Sequence, residues 1–159
     1  MSHYLTIPLY LFLLLVGHSL FAAELKVHAV TERVYALVGE TEARTKDNHG
    51  LNNTLGFIKT NKGIVLVSSG TNAQSYDVIM NAIRTVSDKP VTQVINIGTQ
   101  DHHWMGNHYF IQQGADVIAL KRTVDTQKAN RDAQLTRLQQ GIGEQIKTVH
   151  PQHATQIIE

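Results

Sequence analysis

Near Gly70 the hydrophobic period of this chain changes, and that change limits the folds open to it. Before it, apolar residues come in short runs. Leu25, Val27 and Ala29 alternate with polar neighbours, and further runs cover Val34 to Val38, Thr54 to Thr60 and Ile64 to Val67. Alternation at period two, or a run of this length, is the pattern of a strand. Asn61-Lys62-Gly63 between the third and fourth runs is hairpin-turn chemistry. Glu40 to Asn52 is polar with Gly39 and Gly50 at its edges, and reads as a loop.

After Gly70 the period lengthens. Tyr76, Ile79, Met80 and Ile83 stand at i, i+3, i+4 and i+7, one face of an amphipathic helix. Thr71 or Asn72 can cap its start, and Pro90 lies beyond its end. Val91 to Ile97 has the pattern of a buried strand. Trp104 to Gln113 is expected as a short helix ended by Gly114. Ala115 to Leu120 follows as a strand, then Thr123 to Gln140 as a polar helix with apolar Val124, Leu135 and Leu138. The stretch from Gly141 has no clear period. Four strands and then alternating helices and strands specify an α/β fold, a mixed sheet with flanking helices.

Charge and composition exclude several classes of function. The chain has 14 Lys and Arg against 13 Asp and Glu, all at or beyond Glu24. That balance leaves no basic footprint for nucleic acid and no polybasic stretch for anionic lipid. With no cysteine, the chain has no disulfide, no thiolate metal ligand and no cysteine nucleophile. The apolar run Leu5 to Val16 precedes Ala22 and Ala23, and then charge begins. This is expected to be a signal peptide over 1–23, although no Lys or Arg precedes the run. Residues 24–159 would then form one domain in the periplasm or outside the cell, without membrane attachment after cleavage.

Four segments, in order, carry a resemblance. They are Asn53-Thr-Leu-Gly56-Phe-Ile with Gly63-Ile-Val-Leu-Val, then Ser68-Ser69-Gly70, then Asp88-Lys89-Pro90-Val91 leading to Val94-Ile95-Asn96, then Gly98 to His108 with Gly106-Asn107. Together they resemble the metallo-β-lactamase superfamily, and within it an exported branch of quinoprotein-associated zinc metallohydrolases. The resemblance covers about Glu32 to Leu120. It implies the N-terminal half of an αβ/βα sandwich, in which two sheets pack face to face with helices outside.

The family holds two zinc ions with the motif His-x-His-x-Asp-His, placed directly after the strand that here ends Val94-Ile95-Asn96. Imidazoles and a carboxylate suit zinc, and zinc brings the pKa of its bound water to about 7. In this chain the four ligand positions are Gly98, Gln100, His102 and His103. Asp101 stands at a spacer position. The resemblance therefore implies at most a reduced site of His102, His103 and Asp101, with zinc binding possible and absence of zinc the stronger expectation. Ser68 stands where the family uses an Asp to support the metal loop. The family's remaining ligands belong to a second half; His150 and His153 match no motif for them.

Trp104 and Tyr109 are expected to pack against the sheet, Asn96 and Asn107 to hold turns, and His49 to be solvated. Two classes of function stand side by side. One is a hydrolase-type enzyme with an altered single-metal site acting on a small-molecule substrate. The other is an impaired or non-catalytic relative, a binding or assembly module. One half of a sandwich leaves a sheet face bare, so its own helices, a second copy or another protein is expected to cover it.

Overall fold

The computed structural model describes residues 23–159. The signal-peptide expectation, Ala23 apart, lies outside the described residues. Among them, no helix is long and apolar enough to cross a membrane.

Seven strands form one sheet in sequence order: β1 (Lys26–Ala29), β2 (Val34–Val38), β3 (Thr54–Lys59), β4 (Ile64–Val67), β5 (Val91–Ile95), β6 (Asp116–Leu120) and β7 (Gln156–Ile158). The first four strands pair antiparallel, as hairpin connections allow, and β4 to β7 pair parallel through helical crossovers. The helices are α1 (Ala73–Arg84), α2 (Asn107–Gln112) and α3 (Lys121–Ile142). A mixed sheet with flanking helices is the fold class that the period change specifies.

One face of the sheet carries the core. Tyr35, Phe57, Leu66, Val94 and Val117 oppose one another across five strands. All but Tyr35 are buried, and Ile79 and Ile83 of α1 and Phe110 of α2 complete the cluster. The start of α1 is set by Asn72, whose side chain accepts from the Ser75 backbone while the Ser75 hydroxyl accepts from the Asn72 amide, a reciprocal cap. A second, smaller cluster of Trp104, Met105, Leu138, Ile142 and Val149 lies between α3 and the loop after β5.

Several expectations need correction. The helix expected from Trp104 starts at Asn107, because Asp101–His103 forms a 3-10 turn and Trp104 leaves the helical region at φ −146°. The strand expected to run to Ile97 stops at Ile95, and Ile97 is 62% exposed. The stretch from Gly141, which has no clear period, is ordered and begins with the last turn of α3. It forms a 3-10 segment over Gly143–Thr148 and the edge strand β7. Three residues against a single neighbouring strand give too short a pattern to register as a period.

Candidate functional site

The segment Asn96 to Gly106 leaves the carboxyl end of β5, beside the carboxyl end of β4. Reciprocal hydrogen bonds between the buried Asn96 and Asn107 side chains close its two ends, at 2.9 and 2.8 Å. Asn96 Nδ2 also donates to the His103 carbonyl at 2.9 Å. The turn after β4 grips the other side. The Ser69 amide donates to the His103 carbonyl at 3.3 Å and the Gly70 amide to the His102 carbonyl at 3.0 Å. Gly106 lies so close to that turn that a Cβ on it would fall 2.1 Å from the Ser69 carbonyl oxygen. Only glycine fits there. Ser68 holds φ at +71°, uncommon without glycine. That conformation turns the chain out of β4, and its hydroxyl lies 2.7 Å from His103 Nδ1. Serine thus keeps contact with the loop at the position the resemblance gives to an Asp.

Asp101 sits at the centre, wholly buried. Its Oδ1 accepts from Arg44 Nε at 2.9 Å, from Arg44 Nη2 at 2.6 Å and from the His102 amide at 2.8 Å. Its Oδ2 is buried without a hydrogen-bond partner. Arg44 reaches in from the loop between β2 and β3. That loop is pinned by Asn48, whose side chain bonds the Thr45 amide and the Ala43 carbonyl on either side of Arg44, both at 2.9 Å. Arg44 Nη2 also lies 3.1 Å from His102 Nδ1. A guanidinium only donates, so Nδ1 must accept and neutral His102 carries its proton on Nε2. The His102 and His103 rings meet edge to face at 4.4 Å.

Electrostatics keep both imidazoles neutral. Burial, with the neighbouring His103 and the Arg44 cation acting in the same direction, pushes His102 down to about 4 against the opposing pull of Asp101. Burial pushes His103 down as well, and Arg44 again adds to it against Asp101.

Helix α3 clamps the segment from outside. Gln134 receives the Trp104 indole N–H at 3.1 Å and donates to the Thr99 carbonyl at 2.8 Å, while Gln127 donates to the Gly98 carbonyl at 3.0 Å. Gly141 of α3 lets the helix approach the Arg44 backbone, because a Cβ there would lie 2.5 Å from the Arg44 carbonyl oxygen. The expected packing of Trp104 against the sheet therefore needs correction. Its indole stacks on His153 at 4.7 Å and belongs to the cluster under α3. Tyr109 packs beside Tyr76 of α1, and its hydroxyl donates to the Thr148 carbonyl. Nor is His49 simply solvated: half-buried, it meets Gln145 at 3.2 Å. His108 and His150 pair at the surface, ring to ring at 4.9 Å.

No protein-family model and no curated protein sequence matches the chain. Solved structures do. A metallo-beta-lactamase from Pontibacter korlensis aligns over 68% of this chain and 49% of its own, with TM-score 0.54 and 17% identity. The metallo-beta-lactamase FIM-1 from Pseudomonas aeruginosa, in its mono-zinc form, aligns over 70% and 48%, with TM-score 0.55 and 15% identity. The stereoselective inverting sec-alkylsulfatase Pisa1 from Pseudomonas sp. aligns over 70% and 17%, with TM-score 0.53 and 14% identity. This chain has the metallo-β-lactamase fold. It spans about half the length of the two metallo-beta-lactamases, in keeping with a resemblance to one half of the sandwich.

The residues present do not fit the zinc that the fold family implies. Two of the four ligand positions are Gly98 and Gln100, and Gln100 is exposed. Space at Gly98 is filled, since a Cβ there would lie 2.5 Å from His103 Cδ2. The Nδ1 lone pair of His102 and the Oδ1 of Asp101 are both committed to Arg44. Among the described residues no three His, Asp or Glu side chains converge as a metal requires. The fold brings His102, His103 and Asp101 together, but around a guanidinium. Sequence reasoning missed Arg44, Gln127 and Gln134. An Arg in a polar loop and Gln on a polar helix are ordinary surface residues until tertiary packing buries them.

Proposed function

We propose that this chain is an exported metallo-β-lactamase-fold protein whose former metal loop serves as a structural clasp and does not run zinc hydrolysis. The observation that carries the reading is Arg44, which supplies the positive charge that Asp101 and His102 would otherwise take from a metal. Gly98 supports it, because the imidazole of His103 lies where the first ligand of the motif would need to be. Export rests on Leu5 to Val16 followed by Ala22 and Ala23. On this reading the protein works by binding rather than by catalysis, and fold alone supplies no substrate.

Native mass spectrometry of chain produced with added zinc tests the proposal. The expected spectrum has no stoichiometric zinc, with a mass that places cleavage near Ala23. One zinc per chain, lost on changing His102 and His103 to Ala, would overturn it. That outcome would favour a single-metal hydrolase, which the unpartnered Oδ2 of Asp101 could serve as one ligand.

A further inference from the structure

At the end of the sheet opposite the Asn96 to Gly106 loop, three segments far apart in sequence bring cations together. The turn before β2, the end of β3 with the turn after it, and the segment between α1 and β5 enclose a cleft of about 350 Å³. Arg33, Lys59 and Lys89 line it, with Ser87 and Val86, and Glu32 is the one carboxylate in the lining among the described residues. The cleft lies on the helix-bearing side of the sheet, where Tyr35 and Val86 pack against the core.

Strand register forces two of these cations together. Val34 lies opposite Ile58. One residue further on, the Lys59 amide donates to the Arg33 carbonyl at 2.8 Å, so Arg33 and Lys59 are direct cross-strand neighbours. Alternation puts both on the face of Tyr35 and Phe57. Like charges directly opposite one another destabilise a sheet. Lys59 recovers part of that cost, because its Nζ lies 5.1 Å from the centre of the Tyr35 ring. Arg33 recovers none within the chain. Among the described residues, neither Arg33, Lys59 nor Lys89 forms an ion pair.

Lys89 supplies the third charge from a fixed position. Its Nζ donates to the Thr60 carbonyl at 2.9 Å and the Asn61 carbonyl at 3.3 Å. An ammonium has three donors, so one is left for a ligand. The Ser87 hydroxyl accepts from the Lys89 amide at 3.3 Å and keeps its own proton free to donate. With Glu32 opposing the three cations, two positive charges are left over, the charge that a dianion would balance. Donors from three separate segments suit the oxygens of a tetrahedral group better than the two of a carboxylate, and a guanidinium fork matches such oxygens in pairs.

We propose that this cleft binds a tetrahedral dianion, phosphate or sulfate, free or carried on a small soluble molecule, with Arg33, Lys59 and Lys89 as its donors. The site is remote from the Arg44 clasp and does not depend on whether that loop holds zinc.

Amide NMR titration of the purified chain with inorganic phosphate and with sulfate, at an ionic strength held constant with chloride, tests the proposal. Saturable shifts are expected at Arg33, Lys59 to Asn61 and Ser87 to Lys89. Arg33→Gln and Lys89→Gln should each weaken binding about tenfold, and Lys128→Gln on α3 should leave it unchanged. Stability separates a ligand role from a structural one. Without phosphate, Arg33→Gln should unfold at the same denaturant concentration as the parent chain or at a higher one, and phosphate should raise the parent's midpoint more than the variant's. Vesicles containing phosphatidic acid distinguish a lipid headgroup from a soluble ion, and the chain is expected not to sediment with them. Shifts that never saturate, shifts that chloride reproduces, binding that survives Arg33→Gln intact, or vesicle binding without phosphate binding would overturn the proposal.

Discussion

The two packed regions of this protein are built on different physics. Under α1 and α2, Phe57, Leu66, Ile79, Ile83 and Val94 form a core of apolar side chains in strand and helix register. Around the loop after β5, a small apolar cluster at Trp104 is joined to the buried polar groups Asp101, His102, Gln127 and Gln134 and to the half-buried Arg44. The first region is additive and tolerant, since any apolar group of suitable volume contributes. The second depends on each donor meeting its acceptor, because a buried polar group without a partner is costly. The two regions thus share one backbone and differ in what a substitution removes, volume in the first and a hydrogen-bond or charge partner in the second.

Four experiments break or sharpen the contrast. Phe57→Ala in the apolar core should cost the most, about 3–5 kcal/mol of global stability. Denaturant unfolding would read it, and a loss below about 1 kcal/mol would mean that the stacked Tyr35 and Phe57 rings lie outside the cooperative core. Arg44→Ala should come next, about 2–3 kcal/mol, because Asp101 is left buried without its cation. Here the location matters more than the size. Hydrogen exchange should rise in the Arg44 loop and at Asp101 to His103 and stay unchanged in β3 and β4. Faster exchange throughout the sheet would contradict the division into two regions.

Acid should act on the second region alone. The unfolded chain protonates His102 near 6.5, whereas the folded chain resists until about 4. Stability is therefore full above about pH 6.5, falls as pH drops toward 4 and levels off below it. A depression of that size bounds the loss at about 3 kcal/mol. His102→Gln should reduce that dependence between pH 7 and 4.5, His103 carrying the remainder, and an unchanged slope would assign it to other groups. The smallest effect is expected from Gln134→Ala, about 1 kcal/mol, as Trp104 Nε1 and the Thr99 carbonyl lose one partner each. A shift in Trp104 fluorescence should accompany it. A stability change without that shift would place the effect elsewhere in α3.

Local periodicity made the elements of the sheet legible. Leu55 and Phe57 are buried on one side of β3 while Thr54 and Ile58 are exposed on the other, as a strand over the run Thr54 to Thr60 requires. The bounds of the loop after β5 were also legible, because Val94-Ile95-Asn96 and Gly106-Asn107 bracket it and the fold closes that bracket with an Asn96 to Asn107 pair. The strand β7 was not. Its pairing with β6, through Gln156 opposite Ile118, depends on a partner 38 residues upstream, and three residues alone carry no period.

By itself, then, the sequence determined the order of strands β1 to β6 and helices α1 to α3, that they form a mixed α/β sheet, and that Gly98 and Gln100 stand where the resemblance places two ligands. Those are facts of neighbouring residues. Tertiary structure alone decided that Arg44, 57 residues before Asp101, supplies the charge at the centre of the loop, and that α3 covers the loop. It also decided that one sheet face stays bare of helices among the described residues. These outcomes depend on contacts between distant segments. Their energy comes from burial and desolvation, which exist only once the chain has closed on itself.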